Sequence, residues 1–149
     1  MQLHPSDSAN AMRYAVESIA AGFIGLDFKG SPGDLLQTDR EHVETSERDF
    51  FDFATRMATG DWVLVIVHHF PFALVCVDGE YNYMREPDPR LGVWFRHFRR
   101  IATKETRYFA DFVTNAKSWE QYRMTDTISI LKDENSQSRL LIRDWLRDE

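Results

Sequence analysis

The sequence predicts a mixed α+β domain built around a small, strongly curved sheet or barrel with flanking helices. Three observations carry this. The chain has 149 residues, about one domain at the usual ~100–200 residues each. Its hydrophobic spacing runs helix, strand, helix, then mostly hairpin-connected strands. The central run from Trp62 to His68 is almost wholly apolar, as in strands that are buried on both faces or line a barrel. Residues 1–149 are therefore read as a single domain.

The elements follow in order. A helix is expected over residues 8–20, where Met12, Ala15, Val16 and Ile19 recur at helical spacing, with Ser8 as N-cap and Gly22 as the stop. Phe23-Ile24-Gly25-Leu26 reads as a short buried strand in which Gly25 admits close backbone approach. Residues 29–35 form a tight Gly/Pro loop, and residues 36–45 are polar and loose. Ser46 opens a second helix, with Asp49 completing an approximate capping box and Phe50, Phe53, Ala54 and Met57 as its stripe. Gly60-Asp61 turns the chain into the strand Trp62–His68. Pro71 marks a turn and Phe72–Val77 returns. Asp78-Gly79 leads into a short strand through Tyr81 and Tyr83. Residues 85–92, with Pro87, Pro89 and Gly92, are a loop before a strand over Trp94–Ile101. Residues 107–113 suit strand or helix, and 117–123 suit one helical turn. Thr127–Leu131 reads as a last strand, and residues 134–147 as a helix with Leu140, Leu141, Trp145 and Leu146 as its stripe.

Composition narrows the function. Hydrophobic residues make up 43% and charged residues 28%, an ordinary globular balance. The net charge of -6 excludes a globally basic coat protein for nucleic acid, while leaving room for a local basic patch. Cys76 is the single cysteine, so no internal disulfide or multi-cysteine zinc site can form; this fits a reducing cytoplasm. Residues 1–10 lack a secretory pattern, and the apolar stretch Trp62–Val77 is broken by His68 and His69, short of the ~18 clean residues a membrane helix needs.

The chemistry-bearing residues are scattered. There is no Gly-rich phosphate loop, nucleophile elbow or HExxH helix, and no cofactor, metal site or catalytic residue is expected. His68-His69 are either hairpin-end histidines or a ligand or proton-transfer pair, although adjacent strand residues point to opposite faces. Asp61 and Asp34 suit structural turns. Asp27, at the end of an apolar strand, is either an exit to solvent or a polar group aimed into a pocket. Residues 96–107 hold Arg96, Arg99, Arg100, Lys104 and Arg107 against Glu105, a local charge of +4. Such a run beside aromatics suits a nucleic-acid backbone; the plain alternative is a solvated strand edge. Trp94 and Phe28 are each core or stacking plate, and Tyr81 and Tyr83 line core or groove.

Taken in order, Gly22-x-Ile24-Gly25, Gly33-Asp34-Leu35, Phe50/Phe53/Met57, Gly60-Asp61-x-Val63, Val77-x-Gly79-x-Tyr81-x-Tyr83 and His97-Phe98-Arg99-Arg100-Ile101 form a pattern. It resembles the PUA-like superfamily, specifically the EVE-like modules at the N-termini of modification-dependent restriction proteins, over roughly residues 20–131. The resemblance implies a compact β-barrel with flanking helices and a pocket that takes a flipped, often modified, nucleobase between aromatic side chains. Related YTH domains hold N6-methyladenine in such a cage. By that likeness Trp94 is one wall, and Phe28, where tryptophan is usual, the other. Asp27 and Tyr83 would complete the pocket, and Arg96, Arg99, Arg100 and Lys104 would contact phosphates. The implied partner is DNA carrying a modified base, together with a nuclease or motor domain, fused or on another chain, reached through the C-terminal helix. The rival readings are an RNA-binding PUA-like module, a small nucleoside or amide hydrolase using His68 or His97 with a carboxylate, and an interaction module.

Overall fold

The computed structural model describes residues 1–3, 11–27, 33–45, 48, 50–67, 70–112 and 127–147. The expected helical turn at 117–123, His68-His69, Phe28 and the caps Ser8, Ser46 and Asp49 lie outside the described residues.

The fold is α+β. Helix α1 (Ala11–Ala21) leads into β1 (Phe23–Leu26), and α2 (Phe50–Thr55) precedes the hairpin of β2 (Trp62–Val67) and β3 (Phe70–Cys76). Then come β4 (Asn82–Tyr83), β5 (His97–Arg100), β6 (Arg107–Tyr108), α3 (Phe109–Phe112) and α4 (Gln137–Arg147). The strands form two antiparallel sheets, in the orders β1-β5-β4 and β2-β3-β6. They meet at one corner: Val77 bridges Ile101, the Asp78 N–H donates to the Arg100 carbonyl at 3.0 Å, and the Ala102 N–H donates to the Cys76 carbonyl at 2.9 Å.

No closed barrel forms among the described residues. The reason is local. The β4 and β6 strands are two residues long, too short to carry a ladder around a barrel. The free edge of β2 is covered by the chain start, where Gln2 bridges Ile66 in parallel and the Met1 amine donates to the Leu64 carbonyl at 2.8 Å.

The apolar run of β2 is explained by burial on both faces. Leu64, Ile66 and Leu74 pack under Phe109, Leu141, Ile142 and Trp145. Val63, Val65 and Val67, with Ala73 and Val75, face the main core of Ile24, Leu26, Phe53 and Phe95. The register shifts between Val65 and Ile66, where the opposite residue is Pro71. Proline has no N–H for the ladder, so the irregularity falls there. Pro71 thus lies within β3, one residue into a strand that starts earlier than expected.

Several boundaries differ from expectation. Thr127–Leu131 is not a strand; the Thr127 carbonyl accepts one bond, from the Gln2 N–H at 2.8 Å. Residues 107–112 divide into β6 and α3. Trp94 and Phe95 precede β5 rather than opening it. The inner face of α1 is rotated: Ala15, Ser18 and Ile19 are buried, while Met12 and Val16 are 44% and 43% exposed.

Gly25 is fixed by its surroundings. A Cβ there would lie 2.5 Å from the His97 carbonyl oxygen and 2.7 Å from Phe95. The backbone oxygen cannot rotate away as a side chain would. Gly25→Ala is expected to lower stability by at least ~1–3 kcal/mol, the overpacking range, read from the urea midpoint; an unchanged midpoint would show that β1 and β5 separate without cost.

Candidate functional site

The antiparallel pairing of β1 with β5 sets Leu26 opposite His97. One step further, Asp27 and Arg96 meet. Arg96 Nε lies 2.8 and 2.9 Å from the two Asp27 carboxylate oxygens, and its Nη2 lies 2.7 Å from Asp27 Oδ1. The Asp27 side chain is 3% exposed and that of Arg96 28%. The guanidinium satisfies both carboxylate oxygens, Nε reaching each of them and Nη2 reaching Oδ1. The hydrogen bond to Asp27 raises the Arg96 pKa further. Asp27 is therefore not an exit to solvent.

Behind the pair stands a chain of buried polar groups. The Leu35 N–H donates to the Tyr81 hydroxyl at 3.0 Å, and the same hydroxyl lies 2.8 Å from His97 Nδ1. The Tyr81 oxygen accepts from Leu35 and shares a second hydrogen bond with Nδ1, whose direction follows the imidazole tautomer. His97 is completely buried, and burial lowers its pKa from 6.5 to about 4, with Asp27 opposing the shift and Arg96 adding to it. Burial likewise pushes the Tyr81 phenol up.

Half-buried Tyr83 lies beside His97 with ring centres 5.2 Å apart and the rings tilted by 37°, while the Tyr81 ring centre is 6.0 Å away at 22°. Gly33, at φ +92, turns the loop beside the Tyr83 hydroxyl, which a Cβ there would approach to 3.8 Å. Asp34 caps the following turn by accepting from the Leu36 N–H at 3.0 Å. The result is a polar cluster in which Asp27–Arg96, Tyr83 and the turn after Gly33 lie close together. Asp34 keeps the structural turn role expected of it, while the part of the Leu35 N–H in this arrangement was not anticipated.

The basic run divides. Arg99 requires a correction: it is buried, and its guanidinium donates to the carbonyls of Phe53 (2.8 Å), Ala54 (3.1 Å) and Gly79 (3.0 Å). Phe53 and Ala54 end α2, where helix carbonyls lack intrahelical partners and the helix dipole favours a cation. Arg99 is thus an internal cap with no donor face for a phosphate. Arg96 is engaged by Asp27, and Arg107 donates to the Trp145 carbonyl at 3.0 Å. Arg100 and Lys104 are exposed. They line a concave surface of about 500 Å³ that also contains Asp78 and Glu105, so its charge is balanced.

Trp94 is half-buried between core and surface. Its ring stacks on Tyr14 of α1 at 4.4 Å and 24°, with the Arg13 guanidinium carbon 5.8 Å from the ring centre. Its Nε1 is buried without a hydrogen-bond partner among the described residues. The structure thus brings Asp27, Arg96 and Tyr83 together and places Trp94 two residues along the chain, held by α1. The larger cavity, about 820 Å³ between the start of β2 and α4, contains none of these residues.

Among the described residues, no three His, Cys, Asp or Glu side chains gather as metal ligands, and no helix is long and apolar enough to cross a membrane. No protein-family model matches the chain, and no curated protein or solved structure is significantly similar to it.

Proposed function

We propose that this chain is a nucleic-acid reader of the PUA-like kind, which takes a modified base out of a DNA stack and holds it beside the Asp27–Arg96 pair and Tyr83. It would serve as the specificity module of a restriction or defence system whose nuclease or motor lies on another domain or chain. The observation that carries the reading is the pairing of the buried Asp27 carboxylate with the part-buried Arg96 guanidinium at 2.7–2.9 Å, with half-buried Tyr83 opposite His97, the next residue of β5. A base edge presents donors and acceptors in one plane, and a base face presents a stacking surface. Phe28 follows Asp27 directly in the sequence and Trp94 precedes Arg96 by two residues, so the two stacking plates suggested by the sequence flank the paired positions along the chain.

The energetics are compatible with such a role. Extruding a base costs a few kcal/mol, and stacking on aromatic side chains returns about 1–3 kcal/mol per base. With a net charge of -6 and only Arg100 and Lys104 of the four proposed phosphate contacts exposed, nonspecific attraction is weak, so the base must supply much of the affinity. The hydrolase alternative gains little from His97, which is completely buried and whose Nδ1 is bonded to Tyr81.

The test is fluorescence-polarisation binding at fixed low salt. The panel is one DNA sequence carrying adenine, N6-methyladenine, cytosine, 5-methylcytosine or 5-hydroxymethylcytosine at a single site, plus the matched RNA. The expected result is a preference of tenfold or more for one modified base, about 1.4 kcal/mol. Tyr83→Ala and Asp27→Asn should remove that preference, whereas Arg100→Gln with Lys104→Gln should weaken all DNA alike and flatten the salt dependence by a slope of about 2. Equal affinity for every base would sink the reader, and dependence on the 2′-hydroxyl would transfer it to RNA.

A further inference from the structure

The seam between α1 and the segment before β5 contains more than packing. Gly92 presses against the end of α1, where a Cβ would come within 2.1 Å of Ala21 Cβ and 4.0 Å of the Glu17 carbonyl. Two residues on, Trp94 reaches Tyr14, so the segment runs along α1 towards the helix start. Between these contacts sits Ser18, one helical turn from Tyr14 and on the same face. Ser18 Oγ and Trp94 Nε1 are both buried and neither has a hydrogen-bond partner among the described residues. Buried polar atoms left in this state oppose the arrangement that buries them. The seam is closed by a ring stack at one end and a glycine contact at the other, with polar groups unsatisfied between.

The ring stack resembles a bound guest. A centroid distance of 4.4 Å and an angle of 24° are those of offset stacking at close range. Tyr14 belongs to the first turn of α1, which begins at Ala11, and helix ends fray at little cost. Arg13, adjacent to it, lies over the Trp94 ring, and its ion pair with Glu17 is exposed, so its guanidinium remains accessible to an anion. A planar ring with an anionic group attached would replace both contacts at once, and a nucleotide has that chemistry.

We propose that Tyr14 is the resident occupant of the Trp94 stacking face, and that a guest nucleobase takes this face by displacing Tyr14 while Arg13 turns to the guest's phosphate. This rests on the reading of Trp94 as a stacking plate of a nucleic-acid reader. In the ligand-free chain the plate is closed by the protein's own tyrosine. The binding-competent state is then a minor one, and apparent affinity is reduced by its population. Release also exposes Trp94 Nε1 to an acceptor.

The test compares wild type, Tyr14→Leu, Tyr14→Met, Tyr14→Phe and Trp94→Ala on the DNA panel above, each first checked for a cooperative thermal transition. Tyr14→Leu and Tyr14→Met should tighten binding of the preferred oligonucleotide by about three- to tenfold, the equilibrium counterpart of one aromatic pair. Tyr14→Phe, which keeps the ring, should bind like wild type. Adding Tyr14→Leu to Trp94→Ala should give no gain over Trp94→Ala alone. Ligand-free Tyr14→Leu should also show greater acrylamide quenching of Trp94, measured as the difference from Trp94→Phe. If both Tyr14 variants bind equally or more weakly while Trp94→Ala abolishes binding, Tyr14 is a support for the plate and this inference fails while the reader stands. Unchanged binding by Trp94→Ala, or no binding by any variant, removes the plate and this inference with it.

Discussion

Replacing Arg99 with methionine is expected to lower the unfolding free energy by about 3–5 kcal/mol, the cost of breaking a buried charged network from one side. The cause is what the guanidinium leaves behind. Three carbonyls, of Phe53, Ala54 and Gly79, accept from it at 2.8–3.1 Å. The Phe53 and Ala54 oxygens would remain at the end of α2, facing a thioether that cannot donate. Arg99→Lys should recover only part of the loss, since one ammonium cannot span three oxygens held by a planar fork. Urea denaturation measures the difference. A loss below about 1 kcal/mol would mean that water reaches these carbonyls and that Arg99 is free to serve the surface. The same experiment separates Arg99 from Arg100, its neighbour on the opposite face of β5, whose replacement by glutamine should leave stability within about 0.5 kcal/mol, as for ordinary surface sites.

Stability is expected to fall as the medium is acidified from pH 6.5 towards pH 4, with His97 as one cause beside the buried Met1 amine, whose pKa burial lowers from 8.0 to about 5. The His97 imidazole is held neutral by burial, with a pKa lowered from 6.5 to about 4. Between these values the unfolded chain binds a proton that the folded chain refuses, so acid favours unfolding. The contribution is fully present above pH 6.5 and lost progressively below it, to about 2 kcal/mol by pH 5 and about 3 kcal/mol by pH 4. His97→Gln removes the titration and should flatten the stability profile between pH 7 and pH 5 relative to wild type, whatever its effect at neutral pH. Parallel profiles would mean that His97 accepts its proton in place. With its proton on Nδ1 the imidazolium donates to the Tyr81 oxygen across the 2.8 Å contact.

Some features were readable from residue order because they depend on near neighbours. The α+β class, β1, the β2–β3 hairpin and α4 follow from apolar spacing and glycine positions. Gly25 was readable as a place of close approach, and Gly22 as a helix stop. The fate of the basic run was half legible. Phe95, His97, Arg99 and Ile101 alternate with Trp94, Arg96, Phe98 and Arg100, and the first set is wholly buried. That period of two marks Arg99 as inward-facing, although local charge drew attention to the run as one surface. Asp27 was legible as anomalous at the end of an apolar strand, yet its partner lies 69 positions away. No spacing rule connects those two residues; the antiparallel register of β1 and β5 does.

The sequence by itself determined β1, the β2–β3 hairpin, α4 and the chemical inventory: a single cysteine, a net charge of -6, aromatic residues concentrated near the strands, and carboxylates without a metal-ligand spacing. These depend on composition and on repeats of two or 3.6 residues, which any local stretch reveals. The tertiary structure alone decided that, among the described residues, the strands form two sheets joined at a corner rather than a closed barrel. It also decided which of five basic side chains are turned inward, that Asp27 is held by Arg96, and that Trp94 rests on Tyr14. Each of these is a contact between residues far apart in the chain, set by which edges are covered and which buried polar groups must find a partner. Burial makes that requirement strict, because an unpaired charge or carbonyl inside the fold costs more than most local preferences can offset.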